Sequence, residues 1–389
     1  MNIDPSLTNK AVALTIIASL LFLAVAETRR ADAIENSWTT KAPMHASRCS
    51  AGVAAVEGII YAIGGSRMQN ISNHYFSATI NSTEAYNPAT NTWTEKSSIP
   101  TARSSFGAGV YQNKIYCIGG FNLNDDGTRT TPTGVNEVYD PATDTWETKT
   151  PMPTARYGLQ ANVVDEKIYL IGGWYQLENK YKDVDESAQV DVYDPKTDTW
   201  TLGTPTPTAV ADYASAVVKY KIYVISGVTC GTTITDLTQI YDPKTEEWSS
   251  GASIPMGVKN AAAGAIASAD SLTAIFVVGG SNATYSLNGQ YANQVYFPET
   301  NTWNKALPMP IDKAGLSVTI VNNTLYAIGG GHNIFTPDST TTMQYTPFTT
   351  ATIEPFPTIL LVTVIVVVVV VISVGVLIFF KKNKQQTSQ

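Results

Sequence analysis

Three markers that return in phase predict an all-β fold built as a closed, six-bladed β-propeller. The first is an apolar strand ending in paired small residues. It occurs as Tyr61-Ala-Ile-Gly-Gly65, Tyr116-Cys-Ile-Gly-Gly120, Tyr169-Leu-Ile-Gly-Gly173, Tyr223-Val-Ile-Ser-Gly227, Phe276-Val-Val-Gly-Gly280 and Tyr326-Ala-Ile-Gly-Gly330, at intervals of 55, 53, 54, 53 and 50 residues. That spacing is the length of one propeller blade. The second marker is a spaced tryptophan: Trp38, Trp93, Trp146, Trp200, Trp248 and Trp303. The third is a Tyr-Asp-Pro turn, as in Tyr139-Asp140-Pro141 and Tyr193-Asp194-Pro195.

Each unit resolves into four short strands. Strand a is small and apolar (Ala161 to Val164), and strand b is apolar on both faces (Ile168 to Ile171), as expected where neighbouring sheets cover both sides. Strand c ends at Tyr-Asp-Pro, and an Asp-Pro-x-Thr turn leads into strand d with its tryptophan. Four-stranded sheets repeated radially without helices make a propeller. The last unit lacks its own tryptophan, while Trp38 precedes the first strand a with no strands ahead of it. Both anomalies vanish if residues 37–40 supply strand d of the sixth blade, so that the ring closes without a free edge.

The double glycine after an apolar strand, the Tyr-Asp-Pro and the spaced tryptophan resemble kelch repeats, and the resemblance covers 36–347. The sequence departs from the pattern at Ser226, at Phe297 before Pro298, and at Tyr345-Thr346-Pro347. The resemblance implies a kelch-type propeller, and it brings two expectations about chemistry. An Arg just before strand a sometimes contacts ligand in such proteins, a role that Arg48, Arg103 and Arg156 would inherit. The family also includes a sialic-acid mutarotase, which makes a sugar-directed enzyme the alternative function, and a copper oxidase, whose set of two His, two Tyr and a Tyr-linked Cys cannot be identified here.

The ends of the chain read as export and anchoring signals. Lys10, an apolar run from Ala11 to Ala26 and the closing Ala24-Val25-Ala26 make 1–26 a secretory signal peptide. The 23 residues from Thr358 to Phe380 carry no charge, enough to span a bilayer as a helix. Residues 348–357 form a Pro/Thr-rich linker, and 381–389, with Lys381, Lys382 and Lys384, a cytoplasmic tail. The chain is thus expected to be a single-pass membrane protein with its propeller outside the cell. Few cysteines and this ending also resemble archaeal or other prokaryotic surface proteins.

Composition excludes several classes. With 27 Gly and 20 Pro among 389 residues but 15% charged residues, disorder and coiled coil are poor fits. Setting aside Lys10, Lys381, Lys382, Lys384 and Asp4 leaves 21 basic and 31 acidic residues, so nucleic acid is not an expected partner. Cys49, Cys117 and Cys230 are expected to be free thiols.

Topology separates two faces. The a–b and c–d turns are short, as at Gln112 to Lys114, whereas the b–c connections 66–82, 121–135, 174–187, 228–238, 281–293 and 331–341 are long and dissimilar. Variable loops on a rigid scaffold are where binding is concentrated. Cations recur just before strand a at Arg48, Arg103, Arg156, Lys259 and Lys313, with Val210 breaking the series, and would ring the channel mouth on the loop-bearing face. Such a ring suits a carboxylate ligand, or it braces neighbouring blades through main-chain carbonyls. Trp174 is the one tryptophan outside the repeat, and Trp174-Tyr175 is a candidate for stacking on a sugar or anchoring a protein. Asn70, Asn81, Asn282 and Asn322 are candidate glycosylation sites. His45, His74 and His332 share the loop face without ligand spacing, and the run Asn122 to Gly127 lacks the acidic residue that would complete a calcium loop; no metal and no cofactor is expected. The function expected is therefore an extracellular binding module for a glycan or a surface protein, with the sugar-directed enzyme or a structural surface-layer module as alternatives.

Overall fold

A computed structural model describes residues 36–71, 74–123, 130–176, 184–267, 273–283, 289–332 and 339–347. Ile34–Pro347 forms one compact unit. The expected signal peptide, linker, membrane helix and tail lie outside the described residues. Among the described residues there is no helix, and so none long and apolar enough to cross a membrane.

Six four-stranded antiparallel sheets follow one another, each ordered a-b-c-d. Blade 3 is typical: Ala161–Val164, Lys167–Ile171, Val190–Asp194 and Thr199–Gly203. Strand b is buried along nearly its whole length because both of its faces meet neighbouring sheets, whereas strand d is largely exposed at the rim. Blade 6 takes strands a to c from the C-terminal end and strand d from Ser37–Lys41, which pairs with Thr342–Thr346 in a register that sets Trp38 opposite Tyr345. The expectation of closure by the N-terminal strand is met, with one residue more than expected.

Trp38 behaves as its five counterparts do. In every blade the strand-d tryptophan lies opposite the strand-c tyrosine, with ring centroids 4.8–5.1 Å apart. Each indole N–H also donates to a carbonyl just past strand d of the preceding blade: Trp93 to Ala42, Trp146 to Ser97, Trp200 to Thr150, Trp248 to Thr204, Trp303 to Ala252 and Trp38 to Leu307. A bulky ring fills space where the blades diverge, and its polar tip latches one blade to the next.

Near the axis two further sets of bonds run round the ring. The second residue of each small pair donates its N–H to the next blade: Gly65 to Arg103, Gly120 to Arg156, Gly173 to Val210, Gly227 to Val258, Gly280 to Lys313 and Gly330 to Arg48. Two residues past each acceptor, a circle of main-chain bonds of 2.7–2.9 Å joins Ser50, Ser105, Gly158, Asp212, Asn260 and Gly315, and Ser50 N–H returns to Gly315. All six adopt left-handed backbone, with φ between 49° and 66°. That conformation is tolerated by Gly, Asn and Asp and disfavoured for Ser, so the closed circle offsets the strain at Ser50 and Ser105. At the paired glycines the reason for Gly is contact: a Cβ on Gly65 would lie 2.8 Å from the Cys49 carbonyl oxygen. Ser226, which departs from the Gly-Gly pattern, keeps the positive φ, and its hydroxyl donates to Thr235 O (2.6 Å) and accepts from Val258 N–H (2.7 Å).

Candidate functional site on the loop face

The two faces of the ring are built differently. On one, the a–b connections of blades 1 to 4 and 6 are two-residue turns with positive φ at both positions, as at Gln112-Asn113 and Asn322-Asn323. On the other, the d–a and b–c segments of a blade are held together by isolated bridges such as Ser104 with Phe121 and Tyr157 with Trp174. Four of the long b–c connections, expected as loops, contain two-stranded hairpins: Ser66–Ile71 with His74–Thr79, Phe121–Leu123 with Thr130–Pro132, Trp174–Gln176 with Val184–Glu186, and Val228–Thr229 with Thr233–Ile234. The first three stand side by side. Thr79 Oγ1 donates to Asn122 Oδ1 at 3.2 Å, and Phe121 meets Tyr157 edge-on with centroids 5.1 Å apart. Blades 1 to 3 thus carry a continuous raised rim.

The expected ring of ligand-facing cations is not what the side chains form. Arg48, Arg103 and Arg156 have no exposed surface. Each guanidinium turns into its own blade and meets a carboxylate on strand c: Arg48 with Glu84, Arg103 with Glu137 and Arg156 with Asp191. Further donors reach main-chain carbonyls, those of Ala62, Gly64 and Ser82 for Arg48 (3.0–3.2 Å) and of Gly119, Thr101 and Cys117 for Arg103 (2.7–3.1 Å), while Arg48 Nε has no hydrogen-bond partner. The main-chain contacts expected of a brace are made, but within each arginine's own blade and not to a neighbouring one, and they leave no guanidinium surface for a ligand. Burial lowers Arg48 and Arg156 below the ordinary guanidinium range, with the facing carboxylates opposing the shift.

The lysines differ again. The ladder bond from Gly227 goes to Val258, which makes Val258 and not Lys259 the blade-5 counterpart of the arginines. Lys259 stands one residue further on, half-buried beside the channel mouth, where its main chain bridges Ser281. Lys313 is in register but buried, and strand c of its blade offers Met343 where the first three blades offer a carboxylate. In blades 4 and 5 the cation is replaced by Val210 and Val258, and the carboxylate by Gln239 and Gln294. Those amides bind main chain: Gln239 Oε1 accepts from Thr208 N–H (2.9 Å), and Gln294 accepts from and donates to Met256 (2.9 and 3.0 Å).

Trp174 is not an exposed stacking platform. Its side chain is buried among Tyr157, Ala211, Val228 and Val184, and its indole N–H donates to Asp212 Oδ2 at 2.9 Å. Tyr175, on the opposite side of the hairpin strand, is half-buried. His45 Nδ1 lies 2.9 Å from Glu84 Oε2, and His332 pairs with Asp312, so neither points to a metal; the side chain of His74 and the segment 124–129 lie outside the described residues. Among the described residues no cluster of metal-ligating side chains is found. Asn81, Asn282 and Asn322 are exposed. Cys49, Cys117 and Cys230 form no disulfide with one another, and burial pushes Cys117 up to about 12.

What the axis does contain is a cavity of about 80 Å³ whose mouth is set by the six-membered circle. Ser50, Ser105, Asp212 and Asn260 stand at that mouth, and Gly158 and Gly315 leave gaps in it. Asp212 is its single carboxylate among the described residues. Burial raises the Asp212 carboxyl to about 6, against the Trp174 hydrogen bond and the field of Lys259, which lower it. The sequence reading did not single out Asp212. The signal was its place two residues after Val210, where the cation series breaks.

The repeats have counterparts in known proteins. The family described as the KLHDC2/KLHL20/DRC7 Kelch-repeats domain matches residues 53–280, more than half of the chain. The chain belongs to this kelch-repeat family. Curated kelch relatives include the Kelch-like protein terF of Aspergillus terreus, 29% identical over 257 residues (65% of this chain, 55% of the relative). The rat Kelch-like protein 25 is 30% identical over 240 residues, covering 60% of this chain and 38% of the relative. The chain therefore spans about half the length, or less, of these relatives. Among solved structures, that titled "Structure of YjhT" aligns with a TM-score of 0.62 at 19% identity, covering 78% of this chain and 96% of the other, a likeness of fold.

Proposed function

We propose that the chain is a single-pass surface protein whose kelch propeller lies outside the cell and binds a protein partner through its loop face. The observation that carries this reading is the asymmetry of the two faces. One is paved with two-residue turns; the other bears packed hairpins over blades 1 to 3, a shaped surface on a scaffold latched in every blade. The membership in a kelch-repeat family supports it, as do the apolar runs 11–26 and 358–380 for the outward placement. A sugar-directed enzyme would have to work without the three arginines, which are closed inside their blades.

The test is capture of partners by cross-linking on cells that display the full chain. Asn122→Arg and Gln176→Arg, on exposed hairpin positions, are expected to abolish capture, while Glu57→Arg and Lys167→Glu on the turn face leave it intact. Loss with the turn-face pair and retention with the hairpin pair would overturn the assignment of faces. Capture that disappears after periodate treatment of the partner cells would assign the ligand to glycan instead.

A further inference from the structure

We propose, on the reading of the loop face as the binding face, that the channel mouth is a receptor for a primary ammonium group, held by the Asp212 carboxylate. The cavity lining itself carries one carboxylate and no Arg, Lys or His, and Lys259 acts on that carboxylate from outside the lining. Asp212 is also fixed in place. Its N–H donates to Gly158 O, its carbonyl accepts from Asn260 N–H, and its Oδ2 accepts the Trp174 indole N–H at 2.9 Å. The other oxygen, Oδ1, stands over Gly158, where a Cβ would come within 2.5 Å of it. Glycine at that one station keeps the oxygen open to the mouth.

The donor pattern selects among cations. A guanidinium fork is best met by both oxygens of a carboxylate, and here the indole occupies one of them. A divalent metal needs several oxygen ligands with more than one charge among them, and the mouth supplies a single carboxylate. An ammonium has three donors. Oδ1 can take one; Asn260 stands at the next station of the circle, and Ser105 and Ser50 line the same mouth two and three stations away. The polarity also fits the net acidity of the chain, which repels anions.

The charged and titratable groups facing Asp212 are Lys259 from blade 5 and the Tyr157 phenol from blade 3. Lys259 acts on it through its field. Because burial holds the empty site near 6, an ammonium ligand must find Asp212 ionised, and binding should strengthen as pH rises through that value.

The experiment uses the full chain in detergent micelles with n-propylammonium as probe, followed by calorimetry and by Trp174 fluorescence. Two arms, acetyl-lysine amide and a glycyl peptide amide with a free amine, tell a lysine side chain from a chain N-terminus. Saturable binding is expected that weakens at least about tenfold in Asp212→Asn, the scale of one lost hydrogen bond to a charged group. A similar weakening is expected between about pH 8 and about pH 5. 1-Propanol should not bind, and n-propylguanidinium should bind more weakly. Equal binding of propanol, or propylammonium affinity unchanged in a folded Asp212→Asn protein, overturns the proposal. Should that variant not fold, a pH-independent affinity or a preference for guanidinium in the unsubstituted protein does the same. Asn122→Arg and Gln176→Arg are expected to leave propylammonium binding intact. Partner capture lost in them while the amine does not bind would remove this inference and keep the protein-binding reading.

Discussion

Blades 1 to 3 and blades 4 to 6 make the same ladder of main-chain bonds with different side chains. In the first half each junction carries a buried arginine and a buried carboxylate. In blades 4 and 5 the same stations hold Val210 with Gln239 and Val258 with Gln294, and blade 6 holds Lys313 with Met343. The ladder bonds stay within 2.8–3.0 Å throughout. The main-chain circle is therefore what the fold requires, and the ion pair is one of three ways in which the blades fill the space behind it. A buried ion pair is in general costly to break singly and dispensable as a whole when well-packed neutral residues replace it.

The largest expected effect follows from that difference. Arg156→Val leaves Asp191 buried without its cation, at a cost of about 3–5 kcal/mol. Arg156→Val combined with Asp191→Gln installs the blade-4 solution and should recover most of the loss. Denaturant unfolding of the full chain followed by tryptophan fluorescence measures both. A double variant as unstable as the single one would break the equivalence of the two halves.

Asp212 marks the point where the halves meet. Its folded carboxyl is raised to about 6 from an ordinary 3.8, so the folded state holds its proton more tightly than the unfolded chain does. That contribution is complete below the unfolded value and is lost as pH rises through about 6. Asp212→Asn keeps an oxygen for the Trp174 indole and removes the buried charge. It should therefore be more stable than the parent at neutral pH, by about 1–3 kcal/mol, with the difference vanishing below about pH 4. Melting curves across that range decide it; a constant difference would place the effect in packing.

Most of the ring was legible because its determinants are local and repeated. The paired glycines, the Trp38 anomaly and the c–d turns each report a backbone requirement that every blade shares. The polar partners of the arginines were also written in the repeat, two residues before each strand-c tyrosine: Glu84, Glu137 and Asp191, then Gln239, Gln294 and Met343. The alternation of acid with Arg and of amide with Val shows that these stations face each other, and matching the two columns would have turned the cation ring inward. Matching them would also have replaced Lys259 by Val258. The hairpins and the burial of Trp174 were not legible, because b–c connections share no repeat and their packing depends on neighbours from other blades. Asp212 stayed hidden for the same reason: its role comes from an indole 38 residues earlier and a glycine on a third element.

The neutral half predicts a smaller effect. Gln294→Ala removes the amide that holds both polar groups of Met256, with no charge left behind. A loss of about 1–2 kcal/mol is expected, well below that of Arg156→Val, in the same unfolding experiment. A loss as large as the arginine variant's would mean that the amide, and not the ion pair, is the stronger brace.

The smallest effect separates two kinds of c–d turn by acid. At the c–d turn, Asp144 in blade 2 and Asp198 in blade 3 accept the Tyr139 and Tyr193 hydroxyls and the N–H groups of Ser97 and Thr150 in the preceding blade. Blade 5 has Asn301 in the same role, bound to Tyr296 and Ala252, and blade 1 has Asn91. Burial pushes both aspartates up, but the hydrogen bonds outweigh it and hold them below the usual carboxylate range. Their contribution is therefore present above the unfolded value near 3.9 and is lost as pH falls through the lower folded one. Asp144→Asn with Asp198→Asn copies the blade-5 turn, whose amide oxygen accepts the same two bonds without titrating. Stability of the double variant should be flatter with pH below about 4, by some tenths of a kcal/mol per site given their exposure to solvent. Parallel acid limbs for parent and variant would mean that these two turn aspartates do not set the acid sensitivity.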